Sequence, residues 1–459
     1  MNTRSESEFV YNYEDKVKNK NQGLPDKVFF KRESLVIALF ENPHVKTIHH
    51  IAIVLFLGLC FLTYIRGYLE NDEVTIGFRL IKGSFRDVHI SIITWLFIYF
   101  LVCCSYFIFL AWAKLRFQFF PKSLIRKQCD FLFLVVLLGY YLFSFSFIGH
   151  IVTIFNLPIG SAGIILIDQT RLLMKVHAFV RSNAPKVLQF KEKSDEILIL
   201  PNFQYFVFFT WIPTLVYKDE YPRTNEIKWG RRAGYASEII AVVFFYSFVL
   251  ERFMIPLFKD FGLRKFSRSE LFLALLESLL PGLMYLVVTF YLVLHLVQNL
   301  FAELLYFGDR MFYKDWWTST DASTYFRKWN LVVHDWLYIY VYKDCYEILF
   351  PDNKNIATYV TFFLSSIVHE WIVAYMLGFF LPIMFILFFI LGRIMNNVKF
   401  PQNSFYNTLF LIYLALGCGS LMAIYCLEFC ARYNEVPSSA GSWDFYVPRF
   451  LTCGNCYTD

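Results

Sequence analysis

Charge is what this sequence lacks. Of its 459 residues, 17% are charged, 57% are hydrophobic and 20% are aromatic. A soluble domain carries nearer a quarter charged residues, so this deficit excludes a soluble protein and leaves a polytopic membrane protein. The formal charge of +6 is modest and its basic residues are dispersed over loops, which excludes a nucleic-acid partner. Internal repeats and low-complexity tracts are also missing, which counts against a channel or transporter built from repeated, broken helices. Residues 1–46 have no apolar core. They cannot be a cleavable signal peptide, and they read as a cytosolic leader, partly disordered. Lipidation motifs and a terminal retention tetrapeptide are absent. The ten cysteines lie mostly in apolar runs, where Cys60, Cys103, Cys104, Cys418 and Cys426 read as packing thiols. Cys453 and Cys456 form a lone C-x-x-C, short of the four ligands a closed zinc site needs, so no metal is expected.

What is present is a series of apolar runs, each near the ~20 residues a helix needs to cross a bilayer. They fall at 49–69, 91–113, 131–155, 159–180, 234–257, 272–298, 355–376, 379–396 and 405–429. This predicts an all-α bundle of about nine transmembrane helices over 47–430, followed by a tail at 431–459. The fourth run contains Asp168, Gln169 and Arg171, so it should face protein rather than lipid. Basic clusters follow the second run (Lys114, Arg116, Lys122, Arg126, Lys127) and the fourth (Lys175, Arg181, Lys186, Lys191, Lys193). The positive-inside rule places both in the cytosol, with the N-terminus inside and the tail in the lumen. The basic connection at Lys259, Arg264, Lys265 and Arg268 would then be lumenal, against that rule. Residues 205–217, short and interrupted by Pro213, read as an interfacial or re-entrant piece, with a full crossing as the alternative.

The chain is organised around 307–370. A polar, aromatic segment, about 300–354, precedes a membrane-length run that carries His369. A histidine at that depth is costly, so it should face a cavity and have a function. Ser365 and His369 are four residues apart and share a helical face. Asn330, His334, Tyr338 and Tyr342 recur every four residues and predict one slowly drifting polar stripe. Trp316, Trp317 and Trp329 supply rigid surfaces beside it.

These residues resemble the signatures of the membrane-bound O-acyltransferase superfamily, in its sterol O-acyltransferase branch. Its first box is similar to Phe312-Tyr313-Lys314-Asp315-Trp316-Trp317, its second to Trp329-Asn330-Leu331-Val332-Val333-His334-Asp335-Trp336-Leu337-Tyr338, and its histidine to His369. Asp315 and the His334–Tyr338 run resemble the sterol branch rather than the diacylglycerol branch. His177–Arg181, Pro213–Tyr217, Tyr221–Thr224 and Lys228–Gly230 add to the likeness, which runs from about Val28 to Cys453. Thr318 stands where the family usually has asparagine, and Phe326 where it usually has tyrosine. The family's usual lumenal disulfide has its first cysteine near Glu435, so that bridge does not carry over intact.

The resemblance implies a catalytic membrane domain in the endoplasmic reticulum that transfers a fatty acyl group from acyl-CoA to a sterol 3-hydroxyl. It implies His369 and Asn330 as catalytic residues. An acyl-CoA site would comprise Phe326, Arg327, Asn330, His334, Tyr338, Tyr342, Lys354 and Ser365, with Phe312, Tyr313, Asp315, Trp316, Trp317 and Trp329 around the cavity. It further implies membrane lipids and sterol as partners, and a homodimer or dimer of dimers. No cofactor is expected, because a thioester is already activated and acyl-CoA is a substrate. The chemistry agrees: a neutral imidazole can take the alcohol proton, and an amide can hold the developing oxyanion. Glu370, about 100° round the helix from His369, is expected to be structural. Acylation of diacylglycerol or another lipid alcohol is the alternative. A channel lined by His369 and Asp168 is the distant one.

Overall fold

The computed structural model describes residues 24–71, 78–190, 199–226, 229–434, 443–454 and 456–458. Residues 1–23 of the leader, Lys191, Lys193, Lys228 and Glu435 lie outside these. Among the described residues the protein is helical, with β-pairing confined to isolated bridges. Among the described residues, nine segments build the bundle. They are α1 Pro43–Asn71, α2 Val88–Gln118, α3 Leu124–Ile154 and α4 Ile159–Gln189, then α5 Trp229–Phe258, α6 Arg268–Leu304, α7 Lys354–Leu377, α8 Ile383–Met395 and α9 Ser404–Asn434.

Seven of these, all but α4 and α8, are long and apolar enough to cross a membrane unaided. The expected nine is not reached by that measure, and the two shortfalls differ. α8 spans ~20 Å at 1.5 Å per residue, against the ~30 Å of a hydrocarbon core. α4 is long enough but carries charge. Both still join opposite ends of the bundle. At one end of α4, Ser161 Oγ donates to the Arg86 carbonyl at 2.9 Å; at the other, Arg116 Nη1 donates to the Val187 carbonyl at 3.2 Å. Before α8, Phe380 N donates to the tail at the Phe445 carbonyl (2.8 Å). After α8, Gln402 Nε2 donates to Thr320 Oγ1 in the polar segment (2.8 Å).

The charges of α4 are satisfied by protein. Asp168 accepts from Trp95 Nε1 and from Arg171 Nε, both at 2.6 Å. Arg171 Nη1 donates to the Thr210 carbonyl at 2.6 Å, and Lys175 Nζ to the Ile212 carbonyl at 2.7 Å. Those carbonyls close the short helix Phe203–Trp211. Its nine residues cannot cross a bilayer, which counts against a full crossing by 205–217. Two cations from α4, the buried Lys175 and the half-buried Arg171, thus bond carbonyls at the C-terminal end of this helix.

α6 and α9 touch backbone to backbone. A Cβ added at Gly282 would lie 2.5 Å from the Gly419 Cα. The tail is hooked on the buried Glu428, whose carboxylate accepts from the backbone N–H groups of Arg449 (3.0 Å) and Phe450 (2.9 Å). Cys453 and Cys456 form a disulfide with each other, and Phe266 N donates to the Cys456 carbonyl at 2.9 Å.

Candidate functional site

The two signature boxes fold onto each other. Lys314 N donates to the Lys328 carbonyl at 2.8 Å, and Leu331 N to the Phe312 carbonyl at 2.9 Å. Between them Trp316–Thr318 make one 3-10 turn. Asp315 accepts from Thr318 Oγ1 at 2.7 Å and pairs with Lys328 Nζ at 3.2 Å. Thr318 therefore does the local work of closing the turn. Asn407 of α9 clamps the turn from outside, donating to the carbonyls of Trp317 (2.8 Å) and Ser319 (2.9 Å).

Behind the turn lies an aromatic cluster. The Trp316 ring is 5.0 Å from Trp329 and 5.2 Å from Phe290, and its buried Nε1 has no hydrogen-bond partner among the described residues. Phe312 and Tyr313 are buried in this packing. Burial pushes the Tyr313 phenol well above its ordinary pKa, so it stays protonated, and its hydroxyl shares a hydrogen bond with Nδ1 of His295 at 2.6 Å.

Asn330 departs from expectation. It is not inside a continuous helix. It sits at φ −133°, ψ 90°, between the helix Ala322–Trp329 and the helical run 331–349. There it is an N-cap: Oδ1 accepts from Val333 N at 3.2 Å. Oδ1 is therefore occupied, while Nδ2 donates to no described residue and is available to a ligand.

The run 331–349 presents three faces. Trp336 and Tyr340 anchor one of them: Trp336 Nε1 donates to the Met174 carbonyl of α4 at 2.8 Å, and Tyr340 OH accepts from Tyr217 N at 3.1 Å. A second carries His334, Tyr338 and Tyr342. The rings of Tyr338 and Tyr342 stack at 5.7 Å and 14°, and Tyr346 continues the stack at 6.1 Å and 6°. Burial raises the pKa of Tyr338 and of Tyr342, so both are neutral hydroxyls. The third face, Asp335, Lys343 and Glu347, is crossed by the strap 24–33 that precedes the short helix Leu35–Leu39.

His369 lies two-thirds of the way along α7. Its Nδ1 is 2.7 Å from the Ser365 carbonyl. A carbonyl can only accept, so the proton sits on Nδ1 and Nε2 carries the lone pair. The ring stacks on Phe388 of α8 at 5.0 Å and 17°. Ser365 thus acts on His369 through its backbone, and its hydroxyl is half-buried. Glu370 turns away. Its carboxylate accepts from Phe385 N at 3.0 Å in the first turn of α8.

The structure brings Phe326 to His369 through one shared ring. Phe326 lies 6.2 Å from Phe388 and 5.7 Å from Phe362 of α7. Among the described residues, no hydrogen bond joins His369 to Asn330 or His334. Arg327 is exposed and held by its own helix, through Ser323 Oγ at 2.7 Å. Lys354 is exposed at the first turn of α7, a tight loop away from Tyr346. Four contributors escaped sequence reasoning: Phe388, Tyr346, Asn407 and His295. Tyr346 continued the four-residue recurrence. His295 carried the same signal as His369, a lone histidine in a membrane-length run. Phe388 and Asn407 had no local signal.

The chain belongs to the membrane-bound O-acyltransferase family, whose model matches residues 79–429. Along 93% of its length it is similar to sterol O-acyltransferase 1 of Mus musculus, with 36% identity over 79% of that protein. Sterol O-acyltransferase 1 of Cricetulus griseus (35%, 78% of its length) and sterol O-acyltransferase 2 of Homo sapiens (33%, 80%) are similar over the same share of this chain.

Proposed function

We propose that this protein is a sterol O-acyltransferase, which moves a long-chain acyl group from acyl-CoA to a sterol 3-hydroxyl and releases CoA. The observation that carries the reading is the tautomer of His369, which leaves a basic Nε2 free inside a membrane helix. Nε2 takes the hydroxyl proton as the oxygen attacks the thioester carbonyl. Asn330 Nδ2 donates to the oxyanion of the tetrahedral intermediate. Collapse breaks the carbon–sulfur bond, and the imidazolium returns the proton to the departing thiolate. No resident cofactor takes part.

His334, Tyr338, Tyr342 and Ser365 line the path of the acyl donor, with Phe326 packed beside it. Arg327 and Lys354, exposed at the bundle end that carries the signature segment, are placed to meet the phosphates of CoA. That end is cytosolic in this reading. The tail, with its disulfide, is lumenal, because such bonds persist in oxidising compartments. The endoplasmic reticulum membrane satisfies both conditions, and a homodimer or dimer of dimers is the expected assembly. Sterol is favoured over diacylglycerol by similarity to sterol O-acyltransferases along most of the chain.

The test is an acyl-transfer assay on purified protein with labelled oleoyl-CoA and a panel of sterols, diacylglycerols and other lipid alcohols. A sterol should have the highest specificity constant. Diacylglycerol ahead by about tenfold, a difference of about 1.4 kcal/mol, would move the protein to the alternative acceptor class.

A further inference from the structure

The strap 24–33 lies outside the span matched by the family model, yet it completes the signature segment. Leu24 N donates to Glu347 Oε1 at 2.7 Å, and Asp26 pairs with Lys343 at 2.7 Å. Arg32 forks onto Asp309 through Nε (2.6 Å) and Nη2 (3.1 Å). The contact with chemical consequence is Lys27. Its Nζ is 2.7 Å from Asp335 Oδ2, and both side chains are largely shielded, at 19% and 22% exposure.

Asp335 is the neighbour of His334. The other carboxylate oxygen, Oδ1, stops 3.6 Å from His334 Nδ1, beyond hydrogen-bond reach. That Nδ1 is buried and has no partner among the described residues. An unpaired buried ring nitrogen next to a carboxylate normally does not persist, since a small rotation would join them. Here the carboxylate is already held by an ammonium on its far side. Among the described residues, Lys27 and His334 are the two basic groups within ion-pair distance of Asp335.

We propose that Lys27 is a positioning residue for the acyl-donor site: by holding Asp335 it withholds that carboxylate from His334 and keeps the ring turned with Nδ1 inward, so that the exposed remainder of the ring meets the amide-bearing arm of acyl-CoA. This rests on the reading that His334 belongs to the acyl-CoA path. Removing the ammonium frees Asp335 to close onto His334, which caps Nδ1 and turns the ring. The cost falls on donor binding, because His369 and Asn330 are untouched.

Lys27→Met removes the charge, which also lies 5.8 Å from the centre of the Phe29 ring, and keeps an apolar stem of similar length. KM for oleoyl-CoA should rise about three- to tenfold, the value of one hydrogen bond, with kcat within about twofold. Lys27→Arg should restore KM. The decisive variant is the double Lys27→Met/Asp335→Ala. It removes the carboxylate that would capture His334, so KM should return toward wild type. A strap that merely fastened the N-terminus would make the double variant as poor as the single one. An unreversed KM, a loss confined to kcat, or an unchanged Lys27→Met enzyme would each overturn the proposal. His334→Ala separates the two levels. If it leaves KM for oleoyl-CoA unmoved, the acyl-CoA reading of His334 fails. If it raises KM while Lys27→Met does not, only the role of Lys27 fails.

Discussion

His369→Ala is the substitution on which the proposed chemistry depends. The ring is fixed by the 2.7 Å bond from Nδ1 to the Ser365 carbonyl and by stacking on Phe388. Nε2 is therefore aimed and unprotonated before substrate arrives. Losing such a base costs about 10²–10⁴ in rate, or about 3–5 kcal/mol in the barrier. The upper half of that range is expected, because the neighbouring carboxylate of Glu370 turns away from the His369 side of the helix, toward Phe385 N in the first turn of α8. The assay is esterification by detergent-purified protein at saturating sterol and labelled oleoyl-CoA, with monodispersity checked by gel filtration. Glu370→Gln, whose amide oxygen can still accept from Phe385, is the control and should keep most activity. The partner prediction concerns Asn330. Asn330→Ala would remove a helix cap as well as a donor, costing about 1 kcal/mol of stability besides. Asn330→Asp keeps the capping oxygen and replaces the Nδ2 donor with an anionic oxygen that cannot donate, so it should fold normally and lose at least about 10²–10³ in rate. Combined with His369→Ala it should add little, since groups acting as a unit are not additive. Folded His369→Ala protein that retained more than about a tenth of wild-type rate would refute the base assignment and make His334 the next candidate.

Two further outcomes test the bundle itself. Gly282→Ala forces a Cβ to within 2.5 Å of Gly419, so α6 and α9 must part. It should cost about 1–3 kcal/mol in thermal unfolding of the detergent-solubilised protein, whereas Gly417→Ala, which meets nothing within 4 Å, should cost far less. An acceptor for N-glycosylation appended after Asp459 should be modified in microsomes. Seven and nine crossings are both odd, so an unmodified but inserted protein would mean that one of α4 and α8 does not cross.

The lipid-facing helices were legible because their signal is local: a run of apolar residues long enough for the bilayer. The polar residues of α4 were legible in role but not in partner. Depth alone required protein around Asp168 and Arg171, yet the partner carbonyl belongs to a nine-residue helix that no composition rule would seat there. The strap was not legible at all. Lys27 and Asp335 are over 300 positions apart, and ion pairs between distant loops leave no periodic trace. Asn330 was half legible. Asparagine is a strong capping residue, but its place in a four-residue recurrence suggested a helix interior.

That recurrence has a physical account that the α-helical period alone does not supply. On an α-helix, residues four apart drift by about 40° per step, so Tyr338, Tyr342 and Tyr346 should wind off any one face. They do not, for their rings stay stacked. The run 331–349 is α-helical over Leu331–Leu337, then forms π-turns at Tyr338–Tyr342 and Cys345–Leu349. A π-turn closes its hydrogen bond one residue later, turns less per residue, and so drifts the opposite way. Alternating the two cancels the drift, and the ring planes end 14° and 6° apart. The four-residue spacing is thus matched to a mixed α/π backbone. The wall it builds is a ladder of three stacked tyrosine rings, Tyr338, Tyr342 and Tyr346.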